Sequence, residues 1–357
     1  WTMSVRDYLE EYFESDIVKV HLAGSAIIGT ALGPYSPGSA YVLLHHYMGE
    51  VDGTVGAWGY ARGGMGSITK AMASSFKANN GEIIAGSPVT KILIKNNKSY
   101  GLVLENGDEI YANKIVSNLD VKRTFLKVVE EKELPGDFYK AVKNFKIRGS
   151  SGKLNIALDD LPIWNSIPVG DPAGTGDLHI TQNIEEMEGA YDDWKDGKWS
   201  EFPYVDMCIP SINDPTMAPQ GKHYMSVFVQ YVPYNLANGG WTEEKRLEFG
   251  KHVMGRIGSY SKNFNDIINH AEIRTPKEIE AEVGLTEGNI FQGELTMDQL
   301  MFNRPVPGYA QYKTPIKNLY MCGSSTHPGG GVMGAPGANA AREILKDLNK
   351  KISTHYI

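Results

Sequence analysis

The sequence has 357 residues and a formal net charge of -7, with 41% hydrophobic and 22% charged residues. This length predicts two domains or one large one, and the hydrophobic content is sufficient for sizeable cores, which argues against disorder. The acidic balance argues against nucleic acid as the main partner, because phosphate binding needs a basic surface. The two cysteines, Cys208 and Cys322, lie far apart in sequence, so neither a disulfide framework nor a zinc site is expected.

The chain starts at Trp1 and enters an amphipathic helix almost at once, so we expect an upstream segment to precede it. Ser4 is the predicted N-cap, with Asp7 three positions later. Five apolar or aromatic residues then follow at helical spacing and are expected to pack in a core: Val5, Tyr8, Leu9, Tyr12 and Phe13. Residues 17–48 read as helix, loop and helix. No apolar run reaches the roughly 20 residues of a membrane span.

Residues 57–118 show an α/β pattern with an antiparallel insert. A short strand is predicted at residues 57–62, followed by Gly63-Gly64-Met65-Gly66 and a helix that ends near Asn79. Turn signals at Asn96-Asn97 and Asn106-Gly107 separate the later strands and indicate a β-meander. The predicted strands are residues 82–84, 89–95, 101–105 and 110–117.

Residues 126–315 are rich in aromatic residues and methionine, and they alternate strands with a helix at 242–260. Strands are predicted at residues 153–158, 177–182, 204–210 and 223–232. The C-terminal part predicts a strand at 318–322, a glycine-rich stretch at 323–334 and a helix from about 335 to 348. The expected fold class is therefore mixed α/β: part of a Rossmann-like dinucleotide-binding domain with a β-meander insert, plus a mixed-sheet substrate domain with helices.

The glycine-rich stretch predicts a ligand site but not the start of a Rossmann fold. Gly329, Gly331 and Gly334 match G-x-G-x-x-G, yet six residues separate them from the strand and no second strand follows. Glycines before a helix N-terminus allow a bulky flat ligand to approach exposed N–H groups. The alternative is a tight turn, which would cost chain entropy without return. Gly63-Gly64-Met65-Gly66 leaves packing and cofactor approach equally open.

Three stretches together resemble the phytoene desaturase and carotenoid isomerase group of FAD-dependent oxidoreductases. They are Trp58–Met65, Val89–Ile92 with Ile115–Asn118, and Leu319–Gly323 with Thr326–Gly334. The resemblance covers essentially the whole chain. It departs from the group in one respect, because the N-terminal βαβ unit that holds the FAD pyrophosphate is missing from this sequence.

The resemblance implies FAD as the cofactor of the full-length protein. It also implies that this chain lacks part of the FAD contacts and need not retain the cofactor. It places Val89 beside the adenine, Asn118 at the end of a strand near the cofactor, and Gly323 and Ser324 at the phosphate and ribityl region. It places three residues near the isoalloxazine ring: Gly331, Val332 and Met333. It also implies two further flavin neighbours, Gly64 and Met65. The implied FAD domain is 57–125 with 316–357, and the substrate domain is 1–56 with 126–315.

Catalysis by such an enzyme needs little from side chains, because the cofactor takes the hydride. His327 is the candidate for a proton carrier or flavin-tuning group, and the alternative is a hydrogen-bonding role in its loop. Arg304 would either pair with an acidic substrate group or tie down a loop. No metal site is expected.

We expect an apolar or polyene-like substrate, because the aromatic- and Met-rich middle region suits an apolar cavity, although it suits an ordinary core equally well. The expected activity is desaturation, isomerisation or oxidation. A non-enzymatic scaffold on a flavoenzyme fold and an inactive fragment are the alternatives. A homo-oligomer and a peripheral membrane contact are compatible with the sequence. The many lysines and asparagines suggest a bacterial source. For a bacterial protein a cytoplasmic location is expected, and a eukaryotic relative would be mitochondrial.

Overall fold

The computed structural model describes residues 1–348 and divides into two compact units. Unit 1 comprises Trp1–Ile83 and Gly149–Glu282, and unit 2 comprises Ile84–Arg148 and the described residues from Val283 onward. The helices, in chain order, are α1 Val5–Glu10, α2 Asp16–Ile27, α3 Ser39–Tyr47, α4 Gly66–Ala78, α5 Val121–Arg123, α6 Gly136–Asn144, α7 Ile184–Lys195, α8 Pro210–Asn213, α9 Glu243–Gly258, α10 Phe264–Ile267, α11 Pro276–Val283 and α12 Ala335–Asp347.

The strands are short and form four sheets within the described residues. In chain order they are β1 Glu50–Val51, β2 Thr54–Val55, β3 Val89–Lys95, β4 Lys98–Leu104, β5 Glu109–Tyr111, β6 Ile115–Ser117, β7 Ser151–Leu158, β8 Leu178–Ile180, β9 Tyr204–Cys208, β10 His223–Gln230, β11 Ile268–Arg274 and β12 Leu319–Met321. The predicted mixed α/β class is confirmed.

Unit 1 is built on a five-stranded sheet with the order β11-β7-β10-β9-β8. Every neighbouring pair is antiparallel, whereas a mixed sheet was expected, because strand direction depends on connections that the sequence pattern does not reveal. Successive side chains of a strand point to opposite faces of the sheet. On β7, for example, Leu154, Ile156 and Leu158 enter the main core, where they join residues of α9.

A second core in unit 1 is formed by helices α1 to α3 and α7. The Ser4 hydroxyl accepts a hydrogen bond from the Asp7 N–H at 3.1 Å, which confirms the predicted N-cap. The helix ends at Glu10, earlier than its apolar spacing suggested. Tyr12 and Phe13 are therefore exposed, and the expectation that they pack in the core was wrong.

Unit 2 contains the predicted β-meander, which is the antiparallel sheet β3-β4-β5. Asn96 and Asn97 adopt φ values of 53° and 57°, as a two-residue hairpin turn requires. A separate pair joins β6 to β12 in parallel, with Ile115 opposite Leu319 and Ser117 opposite Met321. This parallel pair positions the candidate site.

Three parts of the strand prediction were wrong. Residues 57–62 and 82–84 are not strands, since they have no strand neighbour among the described residues. The single strand predicted at 110–117 is two, β5 and β6, which belong to different sheets. Helix α7 was missed, although Asn183 caps it by accepting from the Glu186 N–H at 2.7 Å.

The compact units divide the chain at Ile83, Arg148 and Glu282, and these boundaries are geometric. The assignment of an FAD domain to 57–125 and 316–357, and of a substrate domain to the rest, stays a prediction. Residues 349–357 of that range lie outside the described residues. No helix within residues 1–348 is long and apolar enough to cross a membrane.

Candidate cofactor site

The parallel strands β6 and β12 bring two predicted cofactor residues together. Asn118 follows β6 directly, and Cys322 and Gly323 follow β12. The Cys322 N–H donates to the Ser117 carbonyl at 2.9 Å, so the two strand ends remain side by side. In open α/β sheets ligands bind outside the carboxyl ends of parallel strands, and this edge is therefore the expected place for a cofactor.

Gly323 is held so closely that a side chain has no room. A Cβ atom built there would lie 2.7 Å from the Asn118 carbonyl oxygen and 2.9 Å from Gln292 Oε1. The first of these is a backbone atom at the end of β6, which cannot move without separating the strands. Gly323 thus permits a close approach of two backbone segments that no other residue would allow.

The Gln292 side chain contributes a hydrogen-bond acceptor that no donor within residues 1–348 satisfies. Its Oε1 atom is buried and has no hydrogen-bond partner within residues 1–348. Buried polar atoms are almost always paired, so an unpaired acceptor beside Gly323 indicates a missing donor. The ribityl hydroxyls and the ring N–H of a flavin are donors of the required kind. The residues at this edge therefore fit a flavin.

The stretch from Gly323 to Gly334 folds as consecutive tight turns. The Thr326 N–H and hydroxyl both bond the Gly323 carbonyl, and the Gly329 N–H donates to the Thr326 carbonyl at 2.8 Å. Gly329 and Gly331 have φ values of 114° and 139°, a region that favours glycine. The glycines here are thus required by backbone conformation, as well as by any close approach of a ligand.

Helix α12 starts at the end of this stretch with no side chain to cap it. Gly334 is the N-cap residue, in a left-handed conformation with φ of 66°. The first N–H groups of a helix have no intrahelical partner, and together with the helix dipole they favour a negatively charged ligand group. Just before it, Val332 and Met333 are 75% and 47% exposed. The loop tip therefore presents an apolar surface beside an uncapped helix N-terminus.

Arg304 anchors this loop through hydrogen bonds to backbone carbonyls. Its side chain is fully buried, and its guanidinium donates to the Ser324 carbonyl at 2.8 and 2.9 Å. The same group also donates to the backbone carbonyls of Phe291, Gly293, Glu294 and Gln299. Of the two roles that the sequence left open, the structure supports the tie to a loop.

Ser325 is a further loop anchor that sequence reasoning missed. Its buried hydroxyl donates to the Gln292 carbonyl at 2.6 Å and accepts from the Val121 N–H at 3.0 Å. It thus joins the glycine-rich loop to the turn at residues 289–293 and to the start of α5. No local sequence signal points to these contacts, because they join segments that lie far apart in the chain.

The remaining candidates are placed less directly. His327 lies partly buried in the loop, and its carbonyl accepts from the Tyr312 hydroxyl at 2.8 Å. Val89 is the first residue of β3 and is partly buried. Both belong to unit 2, and their roles as proton carrier and adenine contact stay predictions.

Gly64 and Met65 belong to unit 1. Gly63 and Gly64 have φ values of 79° and 82°, so the backbone itself requires glycine there. The Gly63 N–H donates to the Asp214 carboxylate, and Met65 precedes α4 with half of its surface exposed. Packing and backbone geometry account for the two glycines, and a flavin contact stays a prediction.

Comparison with known proteins gives consistent results. The family described as "Flavin containing amine oxidoreductase" matches residues 6–259. The chain is 40% identical over 355 residues to the rat "Pyridine nucleotide-disulfide oxidoreductase domain-containing protein 2", covering 97% of this chain and 61% of the relative. The sequence motifs at residues 289–293 and 327–334 indicate the same relative, and the match confirms this likeness.

Carotenoid enzymes are more distant relatives. The "Prolycopene isomerase 2, chloroplastic" of an Oncidium hybrid cultivar is 27% identical over 90% of this chain and 51% of its own length. The "Phytoene desaturase (lycopene-forming)" of Pantoea ananas is 24% identical over 96% of this chain and 65% of its own. The predicted resemblance to this group is thereby confirmed. The chain spans about 61% of the length of the first relatives that it matches.

Among solved structures, the cyclohexylamine oxidase of Brevibacterium oxydans superposes with a TM-score of 0.55 at 15% identity, covering 98% of this chain and 68% of that one. At this identity the likeness shows the fold alone. The family match extends over more than two thirds of the sequence, in agreement with the glycine-rich edge and the fold. The chain therefore belongs to the flavin-containing amine oxidoreductase family.

Proposed function

We propose that the full-length protein is an FAD-dependent oxidoreductase that desaturates, isomerises or oxidises an apolar or polyene-like substrate. The observation that supports this most is the pairing of an unsatisfied buried acceptor, Gln292 Oε1, with the close approach at Gly323. Both features lie at the carboxyl edge of a parallel strand pair. A turn with a purely structural role would need the close approach at Gly323 but not the unsatisfied acceptor at Gln292 Oε1.

The residues that would hold the cofactor are those predicted from the sequence, together with Gln292. Asn118, Gly323 and Ser324 line the strand edge, while Gly331, Val332 and Met333 form the loop before α12. Bound FAD would supply two-electron chemistry by accepting a hydride. The protein's own part would be to orient the ring and exclude water, and Arg304 would keep the loop in place.

The substrate class is supported by two observations. Val332 and Met333 offer exposed apolar side chains at the loop tip. Two relatives bear names that refer to carotenoids, prolycopene and phytoene, which are long hydrocarbons. An apolar substrate would gain about 25 cal/mol for each Å² of its surface that such residues cover.

The activity is proposed for the whole protein, because this chain spans about 61% of the length of the rat relative. For this chain alone we propose weak or no retention of FAD and no activity, since half a site supplies fewer contacts while the immobilisation cost of the ligand remains. A bacterial and cytoplasmic setting, a homo-oligomer and a peripheral membrane contact stay proposals from composition.

The test is anaerobic incubation of the FAD-loaded full-length protein with phytoene or prolycopene, followed by the visible flavin spectrum and chromatography of the products. The saturated hydrocarbon squalane serves as the control. We expect flavin bleaching or an altered polyene with the first two compounds only. A protein that holds FAD but changes neither compound would contradict the substrate class. A protein that never holds FAD would favour the non-enzymatic scaffold.

A further inference from the structure

The face of the five-stranded sheet that points away from the main core carries a row of charged side chains. Strand register places one residue of each strand in this row, and facing residues of paired strands lie on the same side of a sheet. In spatial order they are Arg274, Lys153, Phe228, Asp206 and His179. All five are partly buried, and all belong to unit 1.

Lys153 is the unusual member of the row. Its ammonium group donates to the Ser226 hydroxyl, and no carboxylate lies within ion-pair distance of it among residues 1–348. The neighbouring Arg274, by contrast, contacts Glu272 at 2.8 Å and Glu282 at 2.9 Å. Burial lowers the pKa of Lys153, and the Arg274 charge lowers it further, while the charges of Cys208 and Asp206 raise it without either group being in ion-pair contact. A partly buried cation with no carboxylate in direct contact is costly, and such groups concentrate at binding sites.

The opposite end of the row supplies hydrogen-bond donors that depend on protonation. Burial, and then the negative charge of Asp177, raises the pKa of Asp206 to about 7. His179 lies 3.6 Å from the Asp206 carboxylate through Nε2, and its Nδ1 is 3.1 Å from the Tyr204 hydroxyl. Near neutral pH a large fraction of Asp206 is therefore protonated and can donate to an oxygen atom.

Phe228 separates the two ends. Neighbouring strands lie about 4.8 Å apart, so the Lys153 and Asp206 backbones are roughly 10 Å from each other with one aromatic ring between them. The row thus offers one ammonium group with no carboxylate in direct contact, one protonation-dependent donor and an apolar surface in the middle. One such ammonium group matches the single negative charge of a carboxylate better than the two of a phosphate monoester.

We propose that this face of the sheet binds a monocarboxylate with an apolar body, with Lys153 as the anchor of the carboxylate and Phe228 under the apolar part. This site lies within unit 1 and does not depend on the proposed flavin chemistry. The Lys153 charge and contact with the Phe228 ring together hold the ligand. Neither an uncharged hydrocarbon chain nor a compact anion would therefore bind as tightly.

The test uses this chain without flavin and measures binding of octanoate by isothermal titration calorimetry. Octan-1-ol is the uncharged analogue of the same length, and inorganic phosphate is the compact anion. We expect octanoate to bind at least tenfold more tightly than either. Equal binding of octan-1-ol would overturn the role of the charge, and equal binding of phosphate would overturn the monocarboxylate class.

Variants locate the site. Lys153→Met keeps the volume and removes the charge, and we expect it to weaken octanoate at least tenfold. Lys222→Met is the matched control, because Lys222 is half exposed and paired with Asp159 at 2.8 Å. If Lys153→Met fails to fold by circular dichroism, Lys153→Gln replaces it. Unchanged octanoate binding in a folded Lys153 variant would overturn the proposal.

The pH dependence provides a second readout. Octanoate binding should weaken from pH 6 to pH 8 as Asp206 ionises, and Asp206→Asn should bind alike at both values. The titratable and charged groups that face Asp206 are His21 on α2, His179 on β8, Asp177 before β8, Lys153 on β7 and Cys208 on β9. Burial lowers the pKa of both histidines, which limits their charge over this range. The same weakening in Asp206→Asn would overturn the role of Asp206.

Discussion

Replacing Gly323 by alanine tests the strand edge most severely. The new Cβ would lie 2.7 Å from the Asn118 carbonyl oxygen, 2.9 Å from Gln292 Oε1 and 3.0 Å from Asn118 Oδ1. The side chains of Asn118 and Gln292 can rotate away, but the carbonyl oxygen belongs to the end of β6. Relief therefore requires β12 to move from β6 or the loop to shift.

The cost of such overpacking is about 1–3 kcal/mol, and we expect the free energy of unfolding to fall by that amount. If the same shift displaces the cofactor edge, FAD affinity in the full-length protein should drop about 5- to 150-fold, since each 1.4 kcal/mol corresponds to a factor of ten. Urea unfolding measures the first quantity, and quenching of flavin fluorescence measures the second.

Gly136→Ala is the matched control. Gly136 is the first residue of α6, away from the strand edge and with nothing within 4 Å of a Cβ atom, so alanine should be neutral or stabilise the helix by up to about 1 kcal/mol. The account would be refuted if Gly323→Ala were as stable as the unmodified protein and held FAD equally well.

Three further predictions concern single groups. Gln292→Met should leave the free energy of unfolding of the flavin-free protein unchanged or raise it by about 1 kcal/mol, because a buried unpaired acceptor is removed. The same substitution should weaken FAD binding about tenfold. A lower free energy of unfolding with unchanged FAD affinity would contradict this. Arg304→Met should cost about 3 kcal/mol or more in urea unfolding, because several backbone carbonyls lose their donor, whereas Arg342→Met on the exposed face of α12 should stay within about 0.5 kcal/mol. Burial raises the folded-state pKa of Asp206 to about 7, so the contribution of its protonated form to stability is present at low pH and is lost as the pH rises toward 7. Asp206→Asn should flatten that part of the plot of unfolding free energy against pH. An unchanged slope in the variant would count against the raised pKa.

The sequence predicted those elements that have strong local signals. The Ser4 N-cap, the Asn96-Asn97 hairpin and helix α9 are all set by neighbouring residues, and all were found. Residues 57–62 were predicted wrongly as a strand because their apolar alternation has no partner strand in the described residues. Pairing is a long-range property that periodicity alone cannot reveal.

The candidate site was likewise predicted only where its sequence signal is local. Gly323 to Gly334 stood out because clustered glycines before a helix are unusual, and their positive φ values explain part of that cluster. Gln292 and Ser325 were not predicted, because their importance depends on packing against residues more than 30 positions away or on the absence of a partner. The charged row of the sheet was equally invisible, since it arises only when five separate strands come into register.

Hydrogen exchange of the full-length protein with and without FAD tests the central claim most directly. The account predicts that FAD slows exchange at residues 115–119 and 319–337, with Gly323→Ala reducing the effect and Gly136→Ala leaving it intact. Protection confined to other segments, or no protection in a protein that retains FAD, would contradict the placement of the cofactor at the edge formed by β6 and β12.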